Sequence, residues 1–218
     1  MPSLAEENYL KAIYHLSTED EGNVSTNAIS ETLNTKPASV SDMLRKLSGK
    51  ELVSYRKYQG VSLTPSGRKV ALQVIRKHRL WEVFLVDKLN FNWDEVHDVA
   101  EQLEHIQSPL LIHQLDEFLG HPAYDPHGDP IPDENGGFPE KEQSPLSELT
   151  VGATGKIVAV KDSSPAFLQY LDKVGAYLGA RVLVKDRVEF DGSMEIVLDD
   201  NKQIFVSREV SENLLITE

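Results

Sequence analysis

The chain has 218 residues, no cysteine and a formal net charge of −13. No apolar run reaches the roughly 18 residues of a membrane span, and MPSLAEENYLKAIYHL lacks the basic start and apolar block of a signal peptide. Without thiols neither a disulfide nor a thiolate metal site can form, so a cytoplasmic protein without a membrane partner is expected. The negative total hides an asymmetry: residues 36–80 hold eleven Lys or Arg against Asp42 and Glu51, a net of +9, whereas residues 81–218 stand at −17. Such a distribution points to phosphate contact at one end of the molecule only.

In chain order, Leu4, Tyr9, Ile13 and Leu16 place a first helix over about 5–17. STNAISETLN and KPASVSDMLRKLSGKELV read as two short helices broken at Asn34–Lys36, with Pro37 suited to a first helical turn. LVSYRKY and VSLT flank Gln59-Gly60 as a β-hairpin, and Thr64-Pro65 opens a long helix over about 65–89. Three helices, a hairpin and a helix are the order of a winged helix-turn-helix. With Val40, Leu44 and Leu47 turned inward, the third helix offers Ala38, Ser39, Ser41, Asp42 and Arg45, preceded by Lys36 and Pro37, to duplex DNA. Arg56, Lys57 and Tyr58 on the hairpin then meet phosphates. A small helical bundle with a basic solvated face is the competing reading.

Residues 109–145 hold seven of the eleven prolines, and HPAYDPHGDPIPDENGGFPE cannot continue a helix, so a domain boundary is expected there. Beyond it, VGATGKIVAVKD, ARVLVKDRVEF, SMEIVLDD and KQIFVSREV alternate apolar and polar residues, with SPAFLQYLDKVG as a short helix, which predicts a small SH3-like β-barrel. The fold expected is therefore mainly α with small β parts.

VHDVAEQLEHI puts His97, Glu101, Glu104 and His105 within an arc of about 100°, opposite Val99, Leu103 and Ile106. Taken alone this fits either a solvated helix face or a ligand set. His78 and Glu82 lie one turn apart inside an apolar stripe, where a charged Glu needs a partner. Two helices offering His and Glu faces suit a metal held between them. Oxygen and imidazole donors without sulfur favour Mn²⁺ or Fe²⁺, although affinity alone favours Zn²⁺, Ni²⁺ or Cu²⁺. No nucleophile motif or phosphate-binding Gly-rich loop argues for an enzyme or a small-molecule substrate.

ENYLKAIY (7–14), KPASVSDMLRKL (36–47), LTPSGR (63–68), RKHRL (76–80), VHDVAEQLEH (96–105) and DPHGDPIP (125–132) together resemble the diphtheria toxin repressor / manganese transport regulator family of metal-dependent transcriptional repressors. The resemblance implies a homodimer on a palindromic operator that controls metal-ion uptake. It implies a DNA-binding domain over 1–72, a helical dimerisation and metal-binding domain over 73–140, a linker over 141–149 and an SH3-like (FeoA-like) domain over 150–218. It also implies one metal site from position 8, here Asn8, with Glu101, Glu104 and His105. A second site is implied from His78, Glu82 and His97, joined by Asp125, His127 and Asp162. Glu101, where iron-type members carry Cys, points to Mn²⁺, with Fe²⁺ as the alternative and Zn²⁺ binding in vitro. Asn8 replaces the Asp or Met usual there, which predicts a weaker or broader site, with Glu7 as a substitute ligand. Lys11 replaces a position acidic in some manganese regulators, which removes a bridging carboxylate. Carboxylates gathered without metal are expected to repel one another and loosen the protein. His113 and His121 are expected to be ordinary surface residues.

Overall fold

The computed structural model describes residues 2–19, 23–56, 59–140 and 142–217. Helices α1 (Leu4–Glu19), α2 (Thr26–Thr32) and α3 (Pro37–Gly49) are followed by the hairpin β1 (Val53–Arg56) and β2 (Gly60–Leu63) and by α4 (Pro65–Leu89). Local chemistry fixes each start: the Ser25 hydroxyl accepts from Ala28 N, Pro37 opens α3, and the Thr64 hydroxyl accepts from Gly67 N. Asn34 turns the chain between α2 and α3 with φ 44°, a left-handed conformation that Asn tolerates. Leu10, Ile13, Ile29, Val40, Leu44, Leu47 and Val61 are fully buried in one core, which Ala71, Leu72 and Ile75 of α4 complete. This is the winged helix-turn-helix. The expected hairpin contacts at Lys57 and Tyr58 lie outside the described residues.

Helix α4 spans the length expected, 65–89, and so crosses the domain boundary placed after residue 72. Its second half contributes Leu80, Trp81, Val83 and Leu85 to a separate core with Val96, Ala100, Leu115 and Ile131. That core is closed by α5 (Val96–Leu103) and α6 (Pro109–Phe118). The proline-rich reading gave no sign of α6; Pro109 occupies its first turn behind the Ser108 cap, where a missing N–H costs nothing. The described residues of 121–140 form neither helix nor strand, only a bridge between Tyr124 and Pro130. Arg76 donates to the Pro132 carbonyl at 2.8 Å and Arg79 to that of Pro130. Two of the arginines counted in the basic segment therefore bind this loop.

The third unit is a six-stranded antiparallel sheet in the order β3-β8-β4-β5-β6-β7: β3 (Ser144–Pro145), β4 (Thr154–Val160), β5 (Arg181–Arg187), β6 (Met194–Leu198), β7 (Lys202–Val206) and β8 (Leu214–Thr217). Helices α7 (Pro165–Val174) and α8 (Arg208–Asn213) complete it. Alternate residues Met194, Ile196 and Leu198 turn inward with Val182 and Val184. The stretch 144–149, expected within a linker, belongs to this unit: Ser144 pairs with Ile216, and Leu146 and Leu149 are buried in its core. The short, mixed sequence around β3 carries no period long enough to be read beforehand.

The sheet docks on the helical unit through the loop before α5, where Gln169 Nε2 donates to Asp94 at 2.8 Å, and through the DPHG segment. Trp93 packs against its core and donates to Asp172 at 3.2 Å. Val160 N donates to the His127 carbonyl at 3.0 Å. Next to His127, Gly128 has φ +87° and runs so close to β4 that a Cβ there would lie 2.2 Å from the Val158 oxygen, so only glycine fits.

Candidate metal centre and recognition helix

Helix α5 ends at Leu103, and the chain turns over Glu104 and His105 with Glu104 N bonded to Ala100 O at 2.8 Å. Glu104 keeps helical dihedrals, φ −60° and ψ −18°, and lies one turn beyond the buried Ala100. Glu104 is 1% exposed, whereas Glu101, on the intact helix, stays 55% exposed. Glu104 points into the space between α1 and α4. Its Oε2 lies 2.6 Å from His78 Nδ1 and accepts from Lys11 Nζ at 2.7 Å. Lys11 Nζ also stands 3.4 Å from His78 Nδ1 and 3.7 Å from Glu101.

His78 faces two carboxylates, because its Nε2 lies 3.0 Å from Glu82 Oε1. Burial opposes its charged form, but the bonds to Glu104 and Glu82 outweigh this and raise its pKa. Burial likewise pushes Glu104 and Glu82 up. His78 and Lys11 bring Glu104 below the ordinary carboxylate value, and His78 and His97 bring Glu82 well below it. Around Glu104 the repulsion expected between bare carboxylates is offset, since the Lys11 ammonium and the His78 imidazole sit among them.

Around Glu82, two triads hold donor atoms within 4.8 Å of one another: His78, Glu82 and His97, and Glu82, Asp125 and His127. His97 Nδ1 is 3.6 Å from Glu82 and its Nε2 3.6 Å from Glu101. The DPHG segment is shaped by Asp125, whose Oδ1 accepts from His127 N at 2.8 Å and Asp129 N at 3.0 Å, while Arg79 stands 3.5 Å from Oδ2. His127 Nε2 bonds the Trp93 carbonyl at 2.8 Å, leaving Nδ1 toward Glu82 at 3.9 Å. Burial, with Asp129 and Glu82 nearby, holds the Asp125 carboxyl well above its usual pKa despite Arg79. Asp162 is not brought here: it is exposed, and its Oδ1 accepts from Ser164 N at 2.8 Å in the turn before α7. Its loop leaves β4 beyond the docking point at Val160.

On the α1 side, Glu7 is 3% exposed and binds His105 Nδ1 and Gln107 Nε2, each at 2.7 Å. The Asn8 Oδ1 is buried without a hydrogen-bond partner, the same condition as Trp81 Nε1. A buried acceptor left with free lone pairs costs free energy unless something fills them, and an amide oxygen is a fitting donor to a hard or borderline cation. The residues present thus fit a divalent ion. Sequence reading missed Glu7 as the direct partner of His105, and it missed Lys11 at the centre, since neither contact is local.

Lys36, Pro37, Ala38, Ser39, Asp42, Arg45 and Arg56 are exposed, and Ser41 is half-buried with its hydroxyl donating to Pro37 O. The unexpected carboxylate on the recognition helix has a partner, since Asp42 pairs with Arg45 at 3.0 Å. His113 and His121 are 52% and 67% exposed, the latter bonded to Asp116.

Family models match along almost the whole chain: the N-terminal DNA-binding domain of iron-dependent repressors over 3–61, their metal-binding and dimerisation domain over 64–133, and an FeoA domain over 144–218. A solved manganese-dependent transcriptional repressor in complex with manganese is 35% identical, with a TM-score of 0.84 over 98% of this chain and 99% of that one. The chain belongs to the iron-dependent repressor family of DNA-binding transcriptional repressors. Another member, ScaR with bound Zn²⁺, is 29% identical, with a TM-score of 0.77 over the full length of both. The diphtheria toxin repressor of Corynebacterium jeikeium (strain K411) is 36% identical over 65% of this chain, a match that spans only 60% of that relative. Family members are regulators rather than enzymes, and the dimerisation domain of the family coincides here with the core of α4, α5 and α6.

Proposed function

We propose that this chain is a manganese(II)-responsive repressor that binds a palindromic operator as a homodimer and controls metal-ion uptake. One observation carries the reading: Glu7, on the first helix of the DNA-binding domain, binds His105 of the dimerisation domain at 2.7 Å, His105 stands 3.6 Å from Glu104, and the next residue after Glu7, Asn8, keeps a buried oxygen without a partner. Asn8, Glu7, Glu104, His105 and Glu101 are the residues that would hold one ion. His78, Glu82, His97, Asp125 and His127 would hold a second. A bound divalent cation supplies positive charge and a fixed coordination shell. The chain's own part is to bring α1 and the end of α5 to a set separation, and so to set the distance between the two recognition helices of a dimer. Half-sites about one helical turn apart accept one such distance. The donor set holds no sulfur, and its carboxylate and amide oxygens suit manganese, while the manganese-bound relative covers 98% of this chain.

The apolar side chains left open on α4 and α6, Leu89 at 52%, Leu110 at 72% and Phe118 at 64% exposure, supply a surface for the second subunit. An iron(II) response is the second reading, favoured by Asn8: a neutral amide in place of a carboxylate lowers the charge of the site and relaxes its preference. Fluorescence anisotropy with a palindromic duplex library decides between them, with Mn²⁺, Fe²⁺, Zn²⁺ or EDTA present. Mn²⁺ is expected to tighten binding by about 5 to 150-fold; equal affinity with chelator sinks the reading.

A further inference from the structure

Glu6 plays no part in the metal cluster, yet it is fully buried. Its Oε1 accepts from Lys50 Nζ at 2.7 Å and lies 3.1 Å from Lys46 Nζ. Its Oε2 accepts from Lys50 Nζ at 2.9 Å and from Ser3 N at 2.8 Å. With the Ser3 hydroxyl facing Glu6 N at 3.4 Å, the Ser-x-x-Glu pair caps the start of α1. Lys46 and Lys50 sit one turn apart at the C-terminal end of the recognition helix α3, the end remote from Pro37 to Asp42. The next residue, Glu7, points about 100° further round α1 and binds His105 and Gln107 beside the metal ligands. A single turn of α1 therefore grips the recognition helix with one carboxylate and the metal-binding segment with the next.

We propose that Glu6 is the positioning residue through which metal occupancy at Glu7, Asn8, Glu104 and His105 sets the direction of the recognition helix, an inference that rests on the metal-responsive reading above. A carboxylate held by two ammonium groups and a backbone N–H has little freedom to slide. Any displacement of the first turn of α1 is passed to Lys46 and Lys50, and with them to the far, DNA-facing end of α3. A clamp that merely stabilised the winged domain would raise its melting temperature and leave the metal dependence of DNA binding untouched.

The test compares the full-length wild-type protein with Glu6→Gln, Glu6→Asp and Lys50→Met. Affinity for a palindromic duplex selected with wild type is read in saturating Mn²⁺ and in EDTA, and Mn²⁺ affinity is read by calorimetry without DNA. Glu6→Gln is expected to keep its DNA-free Mn²⁺ affinity within about threefold while the metal-induced gain in DNA affinity falls at least about fivefold, out of a coupling of typical size 5 to 150-fold. By reciprocity, the tightening of Mn²⁺ binding by the duplex should fall by the same factor. Glu6→Asp, with the charge kept and the reach shortened, is expected to fall between. Should Glu6→Gln not melt cooperatively, Lys50→Met, altered at a half-exposed side chain, carries the same expectation. Variants with the wild-type gain overturn the clamp; a wild-type protein without any Mn²⁺ gain overturns the metal-responsive reading, and the clamp with it.

Discussion

His78 is the residue whose state most depends on what surrounds it. Its raised pKa, set by burial against the stronger pull of Glu104 and Glu82, means that a proton must leave before its nitrogens bind a cation. Manganese affinity is therefore expected to increase as pH rises through that raised value, with proton release visible as calorimetric heats that depend on the ionisation enthalpy of the buffer; buffer-independent heats would refute this. The metal-free protein has the opposite dependence. Stability contributed by His78 is complete below its ordinary value of 6.5 and is lost as pH rises through the elevated one. Glu104→Ala removes the partner of both His78 and Lys11. It should end the Mn²⁺ response and lower metal-free stability by about 1–3 kcal/mol, measured by urea unfolding. His78 and Glu82 were legible as a pair because i, i+4 spacing inside an apolar stripe leaves few other uses. Lys11 was legible only as a missing carboxylate, since its partners lie 67 and 93 positions away.

At the scale of elements, the local signals of the winged domain worked because each start has its own chemistry: Ser25, Pro37 and Thr64 all cap or open a helix. Periodicity placed Glu104 on one arc with His97 and Glu101, although it keeps helical dihedrals at the C-cap of α5 and lies one turn beyond the buried Ala100, which is what faces it inward. Helix α6 and strands β3 and β8 escaped notice because proline density masked the first and pairing across the sheet defines the others. The Asp125–His127 segment takes its position from strand β4 through Gly128. Gly128→Ala is expected to lift that segment off the sheet. Metal affinity of the Glu82 cluster should then fall at least about tenfold, near 1.4 kcal/mol, while the α1-side cluster is spared; two-phase Mn²⁺ calorimetry reads the difference.

For the molecule as a whole, the charge asymmetry of the sequence divides into two uses. Arg45 and Arg56 stay exposed on the DNA-binding domain, while Arg76 and Arg79 are spent on the loop carbonyls and on Asp116 and Asp125. The salt dependence of operator binding should consequently be insensitive to Arg76 and reduced by about one charge on Arg56→Gln, since each phosphate neutralised contributes about 0.9 to the slope. The apolar side chains of α6 make assembly testable as well: Phe118→Asp should yield a monomer in sedimentation, with operator affinity lost and the melting temperature little changed. Helix α4 belongs to two cores at once, Ala71 to Ile75 in one and Leu80 to Leu85 in the other. At 1.5 Å per residue its 25 residues form an arm about 37 Å long. A swing of about 4° at one end moves the other by about 2.5 Å, close to the ~3.4 Å rise of a base step. A barely visible rotation is enough to slip the protein's grip by most of a letter.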